Sequence, residues 1–387
     1  MRKLHLLAFG SLLLAAPASA QKNWDTEFGI QGGFSRFKLT GAPGSNSMID
    51  VYGIPTSQII GVFPTTNAVF AVFPLGDKLA LEPGLSFMQE LGFPAAGPVP
   101  NMATISLRAD YAVTRQFYGA LGLFSRYVSG ISGTLPNDNP HFQFGLEAAA
   151  GFRMHLGPRL NGRVEVQAIT VKKQSVAPPF NVYSLLFGVS TPLSERPAAG
   201  NRRGVAPAAA RGSWVPELGV SAGYSSVHVV GGPDLAVFSF PSAGASSYEG
   251  LVVAPSVPTI FGIFPLNDRL AAEVGLDAQN LRAGNGTIAS FQLAPRADLA
   301  FGNRWYGALG PQFHFLKNSS NGKAIVGVSG VSVAWGYRFH LSGALNGRIE
   351  ANYGMNAKRK TGFALGGGPI PPTTAFGVNL GMMMPLK

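Results

Sequence analysis

The stretch FQFGLEAAAGFRMHL, residues 142–156, decides the fold class. Its even positions, Phe142, Phe144, Leu146, Ala148, Ala150, Phe152, Met154 and Leu156, are all apolar. Its odd positions are Gln143, Gly145, Glu147, Ala149, Gly151, Arg153 and His155. Successive side chains of a β-strand point to opposite faces, so strict alternation makes this segment a strand with one apolar and one polar face. The pattern returns at Val331, Val333, Trp335, Tyr337, Phe339 and Leu341, set against Ser332, Ala334, Gly336, Arg338 and His340. The strand after it sets Ile349, Ala351, Tyr353 and Met355 against Arg348, Glu350, Asn352 and Gly354. Such runs match the length of about 9 to 11 residues that a tilted membrane-crossing strand requires.

That return is part of an internal duplication. Phe73-Pro74-Leu75-Gly76-Asp77-Lys78-Leu79 is echoed by Phe264-Pro265-Leu266-Asn267-Asp268-Arg269-Leu270, and Tyr118-Gly119-Ala120-Leu121-Gly122 by Tyr306-Gly307-Ala308-Leu309-Gly310. Gly151-Phe152-Arg153-Met154-His155-Leu156 is echoed by Gly336-Tyr337-Arg338-Phe339-His340-Leu341, and the tetrapeptide Leu-Asn-Gly-Arg follows in both copies. The matches keep one order along the chain, the signature of a tandem repeat. Between the copies, residues 194–213 are rich in Ala, Pro, Gly and Arg and read as a flexible linker. The sequence divides into repeat one at 21–193 and repeat two at 214–387.

Each repeat is expected to hold eight strands, in the first near 27–39, 58–73, 79–91, 103–112, 117–130, 142–156, 163–173 and 182–193. The connections alternate between short (74–78, 113–116, 157–162) and long (40–57, 92–102, 132–141). Short turns at one end and long loops at the other are the pattern of an outer-membrane barrel.

Residues 1–20 read as a secretory signal peptide, with Arg2 and Lys3 before a mostly apolar stretch and Ala18-Ser19-Ala20 as the cleavage pattern. Its removal lowers the net charge from +11 to about +9. Beyond it, no window is apolar enough to span a bilayer as a helix, so a membrane form must be a barrel. Charged residues make up 13% of the chain while glycines number 50, a composition too poor in charge to coat a large water-facing surface. With no cysteine, there is no disulfide framework and no zinc-ribbon spacing.

The alternation leaves open whether the apolar face points inward, as in a soluble ligand-binding barrel, or outward to lipid. The polar face is mostly Gly, Ser, Ala, Asn and Gln with few ionic residues, which suits a narrow lumen and places the apolar face outward. Aromatics near strand ends, Trp24, Phe28, Phe117, Tyr118, Trp305 and Tyr306, are candidates for interfacial girdles. On this alternation, loop asymmetry and phrases such as Leu79-Ala80-Leu81-Glu82-Pro83-Gly84-Leu85, each repeat resembles the small outer-membrane β-barrel domains of the OmpA-like type. The resemblance implies an all-β fold of transmembrane antiparallel barrels in the bacterial outer membrane. Its partners would be outer-membrane lipids and the outer-membrane assembly machinery. The sequence departs from such barrels in ending Met384-Pro385-Leu386-Lys387 where they usually end in an aromatic residue. Two tandem eight-stranded barrels are favoured by the long linker on the side where turns are short; one sixteen-stranded barrel, a porin-like channel, is the alternative.

Seven ionisable positions recur in both copies on the polar face: Glu82 with Glu273, Arg108 with Arg296, Asp110 with Asp298, Arg153 with Arg338, His155 with His340, Arg163 with Arg348, and Glu165 with Glu350. They are expected to form a structural network inside the barrel, with Arg and Glu of neighbouring strands paired, because an unpaired buried charge costs several kcal/mol. A hydrolase would need a base beside a nucleophile and an orienting acid. His155 and His340 instead lie two residues from an arginine, near the short turns. There is no HExxH, no GxxxxGK[ST] loop and no nucleic-acid-binding motif, so no catalytic, metal or cofactor site and no nucleic-acid partner is expected. The expected function is a noncatalytic outer-membrane barrel with a structural, surface-interaction or small-solute role, its extracellular partner unspecified by the sequence. An outer-membrane enzyme and a secreted soluble ligand-binding barrel are the alternatives.

Overall fold

The structure is a computed structural model that describes residues 24–39, 48–54, 69–90, 101–129, 141–157, 160–172, 179–193, 214–230, 235–240, 260–283, 286–318, 325–342, 345–357 and 372–386. The expected signal peptide, 1–20, and the expected linker, 194–213, lie outside these residues. Repeat one contributes β1 (Glu27–Leu39), β2 (Met48–Ile54), β3 (Val69–Pro74), β4 (Leu79–Glu90), β5 (Asn101–Ala112), β6 (Phe117–Ser129), β7 (His141–Gly157), β8 (Leu160–Val171) and β9 (Phe180–Pro192). Repeat two contributes β10 (Glu217–Val229), β11 (Leu235–Phe240), β12 (Ile260–Pro265), β13 (Leu270–Ala283), β14 (Gly286–Phe301), β15 (Trp305–Asn318), β16 (Ile325–Ser342), β17 (Leu345–Asn356) and β18 (Thr373–Pro385).

All pairings are antiparallel, and each repeat closes on itself. β1 pairs with β9 from Glu27↔Pro192 to Leu39↔Phe180, and β10 pairs with β18 from Glu217↔Pro385 to Val229↔Thr373. The short turns are held by local hydrogen bonds. In one, the Leu75 amide donates to the Leu79 carbonyl at 2.8 Å; in another, Asn267 Oδ1 accepts from the amides of Arg269 and Leu270, both at 2.9 Å. Gly302, with φ at 78°, supplies the left-handed residue in the turn between β14 and β15.

Of the run expected at 58–73, residues 69–73 fall in β3 and residues 58–68 lie outside the described residues; a further piece, β2, falls within the expected loop 40–57. Both pieces pair with β1: Gly33 faces Gly53, and three residues lower Ile30 faces Val69. Repeat two divides the same way into β11 and β12, both on β10.

The lower pieces stay at home, β3 on β4 and β12 on β13. The upper pieces cross over. β2 pairs with β13 of the other repeat from Ile54↔Ala278 to Ile49↔Ala283, and β11 pairs with β4 through Phe240↔Phe87 to Val237↔Glu90. Each repeat is thus a closed eight-stranded antiparallel barrel, and the wide sixteen-strand circuit exists only at the long-loop rim, where the two walls open into each other. Alternation alone misses this, because a strand of seven residues can read as loop until partners on both sides satisfy its backbone groups.

The apolar face points outward. Leu121, Leu123, Phe142, Phe144 and Leu146 are between 55% and 72% exposed, while Glu147, on the other face of β7, is 3% exposed. Where the barrels touch, the outward face is buried instead: Ile30 and Val69 of the first and Val220 of the second form one cluster, with Phe28, Val189, Ile260 and Met382 packed against it. Burying each such side chain contributes about 1.5 to 3 kcal/mol. The aromatics expected in girdles divide. Phe117 and Trp305 are outward and about half exposed, whereas Trp24, Tyr118 and Tyr306 are buried at 2%, 4% and 1%. Tyr118 follows Phe117 by one position, so it must take the opposite face.

Candidate functional site

Both lumens are crossed by the same construction. At the short-turn end of the first barrel Glu27 pairs with Arg153, accepts from Asn161 Nδ2 at 3.0 Å and from Ser190 Oγ at 2.6 Å. The Arg153 guanidinium lies 4.5 Å from the Trp24 ring centroid, a cation–π contact in a water-poor setting. The Trp24 indole donates to the Lys78 carbonyl at 3.1 Å and meets Tyr118 edge-on at 5.6 Å. The second barrel repeats this with Glu217 on Arg338 and Asn346, Arg338 at 4.6 Å from Trp214, and Trp214 edge-on to Tyr306 at 5.6 Å.

Above this plug lies a belt of ion pairs. Arg108 grips Glu165 with both terminal nitrogens, at 2.8 and 2.6 Å, and also contacts Glu82 at 2.9 Å, Asp110 at 3.0 Å and Glu147 at 3.3 Å. Arg163 forms a second fork with Glu82, at 2.6 and 3.1 Å, and lies 3.4 Å from the Phe70 ring centroid. Tyr118 donates to Glu165 at 2.6 Å. In the second barrel Arg296 grips Glu350 at 2.8 and 2.5 Å and contacts Glu273 and Asp298 at 3.0 and 3.3 Å. Arg348 pairs with Glu273 and stacks 3.6 Å from the centre of Phe261, and Tyr306 donates to Glu350 at 2.8 Å. Two-pronged arginine–carboxylate pairs fix orientation as well as charge.

The structure brings Glu82, Arg108, Asp110, Arg163 and Glu165 into one belt, and Glu273, Arg296, Asp298, Arg348 and Glu350 into the other. Neighbouring strands pair through Arg108 with Glu82 at 2.9 Å and Arg296 with Glu273 at 3.0 Å, and the two-pronged contacts reach farther. Arg108 on β5 reaches Glu165 on β8, across the lumen, because a narrow barrel sets facing strands within one arginine's length. Arg153 and Arg338 join the plugs below. His155 and His340 are exposed, at the ends of β7 and β16, each still in register with the buried Asn161 or Asn346 just ahead of a register shift. Their Nδ1 atoms face Asn161 and Asn346 at 3.0 and 3.4 Å. Among the described residues no cluster of three or more His, Asp or Glu side chains could hold a metal ion.

Of the plug residues, Asn161 and Asn346 stand in the repeated Leu-Asn-Gly-Arg, whereas Trp24 and Glu27, with their counterparts Trp214 and Glu217, lie outside the long echoes and carry only a short signal. Trp24 precedes Glu27 by three residues and Gly29 by five, and Trp214 stands in the same relation to Glu217 and Gly219. The glycines make room: a Cβ at Gly29 would lie 2.1 Å from the Phe70 ring, and one at Gly219 2.3 Å from Phe261.

No protein-family model and no curated protein matches the chain. Among solved structures, similarity extends to the attachment invasion locus protein Ail of Yersinia pestis, at 12% identity and a TM-score of 0.26, covering 43% of this chain and 99% of that one. It extends also to a Pseudomonas aeruginosa FadL homologue, at 12% identity and a TM-score of 0.29, covering 94% and 91%. The monoaromatic hydrocarbon channel CymD matches at 8% identity and a TM-score of 0.31, covering 94% and 89%.

Proposed function

We propose that this chain is a noncatalytic protein of the bacterial outer membrane, exported by a signal peptide at residues 1–20, whose two lumens are sealed and whose role is exercised at the long-loop surface. The observation that carries the reading is the inverted wall. Leu121 and Leu146 stand outside at 72% and 64% exposure, whereas Arg108 and Glu165 lie inside at 2% and 1%. A protein in water would reverse that distribution; in a bilayer the outer face meets hydrocarbon, and a closed barrel leaves no backbone group unpaired. Lipid is then the partner of the outer face, and the assembly machinery of the outer membrane inserts the chain. The ion-pair belts and tryptophan plugs favour an anchor or surface-interaction role over a through-channel.

The test is fractionation of cells producing the full chain, followed by gels of boiled and unboiled samples. The expected result is recovery with outer membranes and a heat-dependent change in migration. Recovery in the soluble periplasmic fraction with one band under both conditions overturns the proposal.

A further inference from the structure

The outer wall of the first barrel carries a groove with cations at one end. Across β7, β8, β9 and β1 the strands are in register, so Ala148 faces Ala168, Ala168 faces Tyr183 and Tyr183 faces Arg36. The next row toward the short turns runs Ala150, Val166, Leu185 and Phe34. Both rows point outward, with Val166 and Tyr183 at 55% and 52% exposure. Adjacent strands lie about 4.8 Å apart, so short side chains on β7 and β8 beside the taller Tyr183 and Leu185 leave a trough about as wide as an alkyl chain. The trough is an open, apolar-walled groove of about 700 Å³.

The cations stand at its long-loop end. Arg36 and Lys38 lie on the outward row of β1, and Lys172 directly follows β8; Arg36 and Lys172 are exposed and Lys38 is half-buried. Lys38 faces Asn181, Asn181 faces Thr170, and Lys172 stands two residues beyond Thr170, on the same side of the wall. On its other side Arg36 is opposed by Asp50 of β2, so three cations share this level with one acidic residue.

The second barrel carries neither set of residues. The corresponding rows are Val333, Tyr353, Phe376 and Ser226, then Trp335, Ala351, Val378 and Tyr224. Val333, Trp335 and Tyr353 point outward, between 46% and 52% exposed, where Ala148, Ala150 and Ala168 leave the trough, while Ala351 and Val378 lower the positions of Val166 and Leu185. Ser226, His228 and Ala357 stand where the first barrel has Arg36, Lys38 and Lys172. The relief and the charge therefore change together between two repeats that share one fold.

We infer that the groove from Ala148 and Ala168 up to Arg36, Lys38 and Lys172 binds one phosphorylated lipid of the leaflet at the long-loop end, with an acyl chain in the trough and the phosphate on the cations. The chemistry is matched. A guanidinium presents a fork that fits a phosphate, and lysine stems lie along apolar wall while their heads rise to the headgroup level. Anionic lipid is drawn to such a cluster, whereas a zwitterionic lipid offers the same chain without the net charge. The inference deepens the outer-membrane reading and rests on it.

The full-length protein is folded in detergent, shown by unboiled gels to be heat-modifiable, and titrated with dioleoyl phosphatidic acid or dioleoyl phosphatidylcholine, which carry the same chains. Native mass spectrometry counts the lipid retained. The expected result is one phosphatidic acid per chain, preferred at least tenfold over phosphatidylcholine. Arg36→Ser with Lys38→His and Lys172→Ala installs the second barrel's residues and is expected to remove the preference. Ala148→Val with Ala168→Tyr fills the trough and is expected to weaken binding severalfold. Equal retention of the two lipids by the unaltered protein, or an unchanged preference in the cation variant, overturns the site. Unchanged binding in the filled variant, or full displacement by millimolar inorganic phosphate, overturns the lipid and leaves a surface anion site. Recovery of the chain in the soluble fraction without a heat-modifiable band counts against the outer-membrane reading; a heat-modifiable protein with no preference counts against this inference alone.

Discussion

Arg108 and Glu165 meet across the first lumen through two hydrogen bonds of 2.8 and 2.6 Å, although β6 and β7 lie between their strands along the wall. Glu165 also accepts from Tyr118 at 2.6 Å. Removing one partner of a buried pair leaves a charge without compensation, at a cost of about 3 to 5 kcal/mol. Glu165→Ala is therefore expected to lower stability by about that much in a urea titration of the detergent-folded protein, and Glu350→Ala to do the same through Arg296 and Tyr306. A loss below about 1 kcal/mol would mean the pairs are solvent-exposed and the lumen is wet.

The tyrosines need glycines opposite them. A Cβ at Gly151 would lie 2.3 Å from Tyr118 Cζ, and one at Gly336 would lie 2.1 Å from Tyr306 Cζ. Gly151→Ala and Gly336→Ala should each destabilise by about 1 to 3 kcal/mol through overpacking, despite the better strand propensity of alanine. Chemical denaturation checks this, and a neutral or stabilising effect would show that the rings have room to move.

The alternation at 142–156 made the strands and their two faces legible, since period two leaves no other assignment. The duplicated Arg108, Glu165, Arg296 and Glu350 were legible as a set for the same reason. What stayed hidden depends on contacts that cross the sequence. Tyr118 and Trp24 read as girdle aromatics because side-chain type does not report facing at a strand end. β2 read as loop because one of its partners, β13, begins more than two hundred residues later. His155 keeps the polar row's register opposite Asn161 but stands at its end, and a period reports the face of a residue and not its depth.

The outward face carries its own test. Leu146 is 64% exposed in the middle of β7. If that face meets hydrocarbon, Leu146→Arg should cost about 2 to 4 kcal/mol in a folding titration into lipid vesicles. An exposed position in water would tolerate the change within about 0.5 kcal/mol, and that result would remove the protein from the bilayer.

The crossing strands predict a covalent link between the repeats. Gly53 and Gln279 are directly opposed on β2 and β13. Opposed residues of an antiparallel pair lie within the Cα separation a disulfide spans. Gly53→Cys with Gln279→Cys, after protease cleavage at a site inserted in the linker, should run as one band when boiled without reductant and as two with it. Two bands without reductant would mean the barrels are separate at the rim.

Both lumens are expected to be sealed by their ion-pair belts and tryptophan plugs, and conductance measures this directly. The full-length protein, shown by unboiled gels to be folded, is inserted into a planar bilayer and held under voltage. The expected result is a silent membrane. Discrete steps in the nanosiemens range would mean that the sixteen-strand circuit at the rim continues through the membrane as one water-filled channel, and would contradict it.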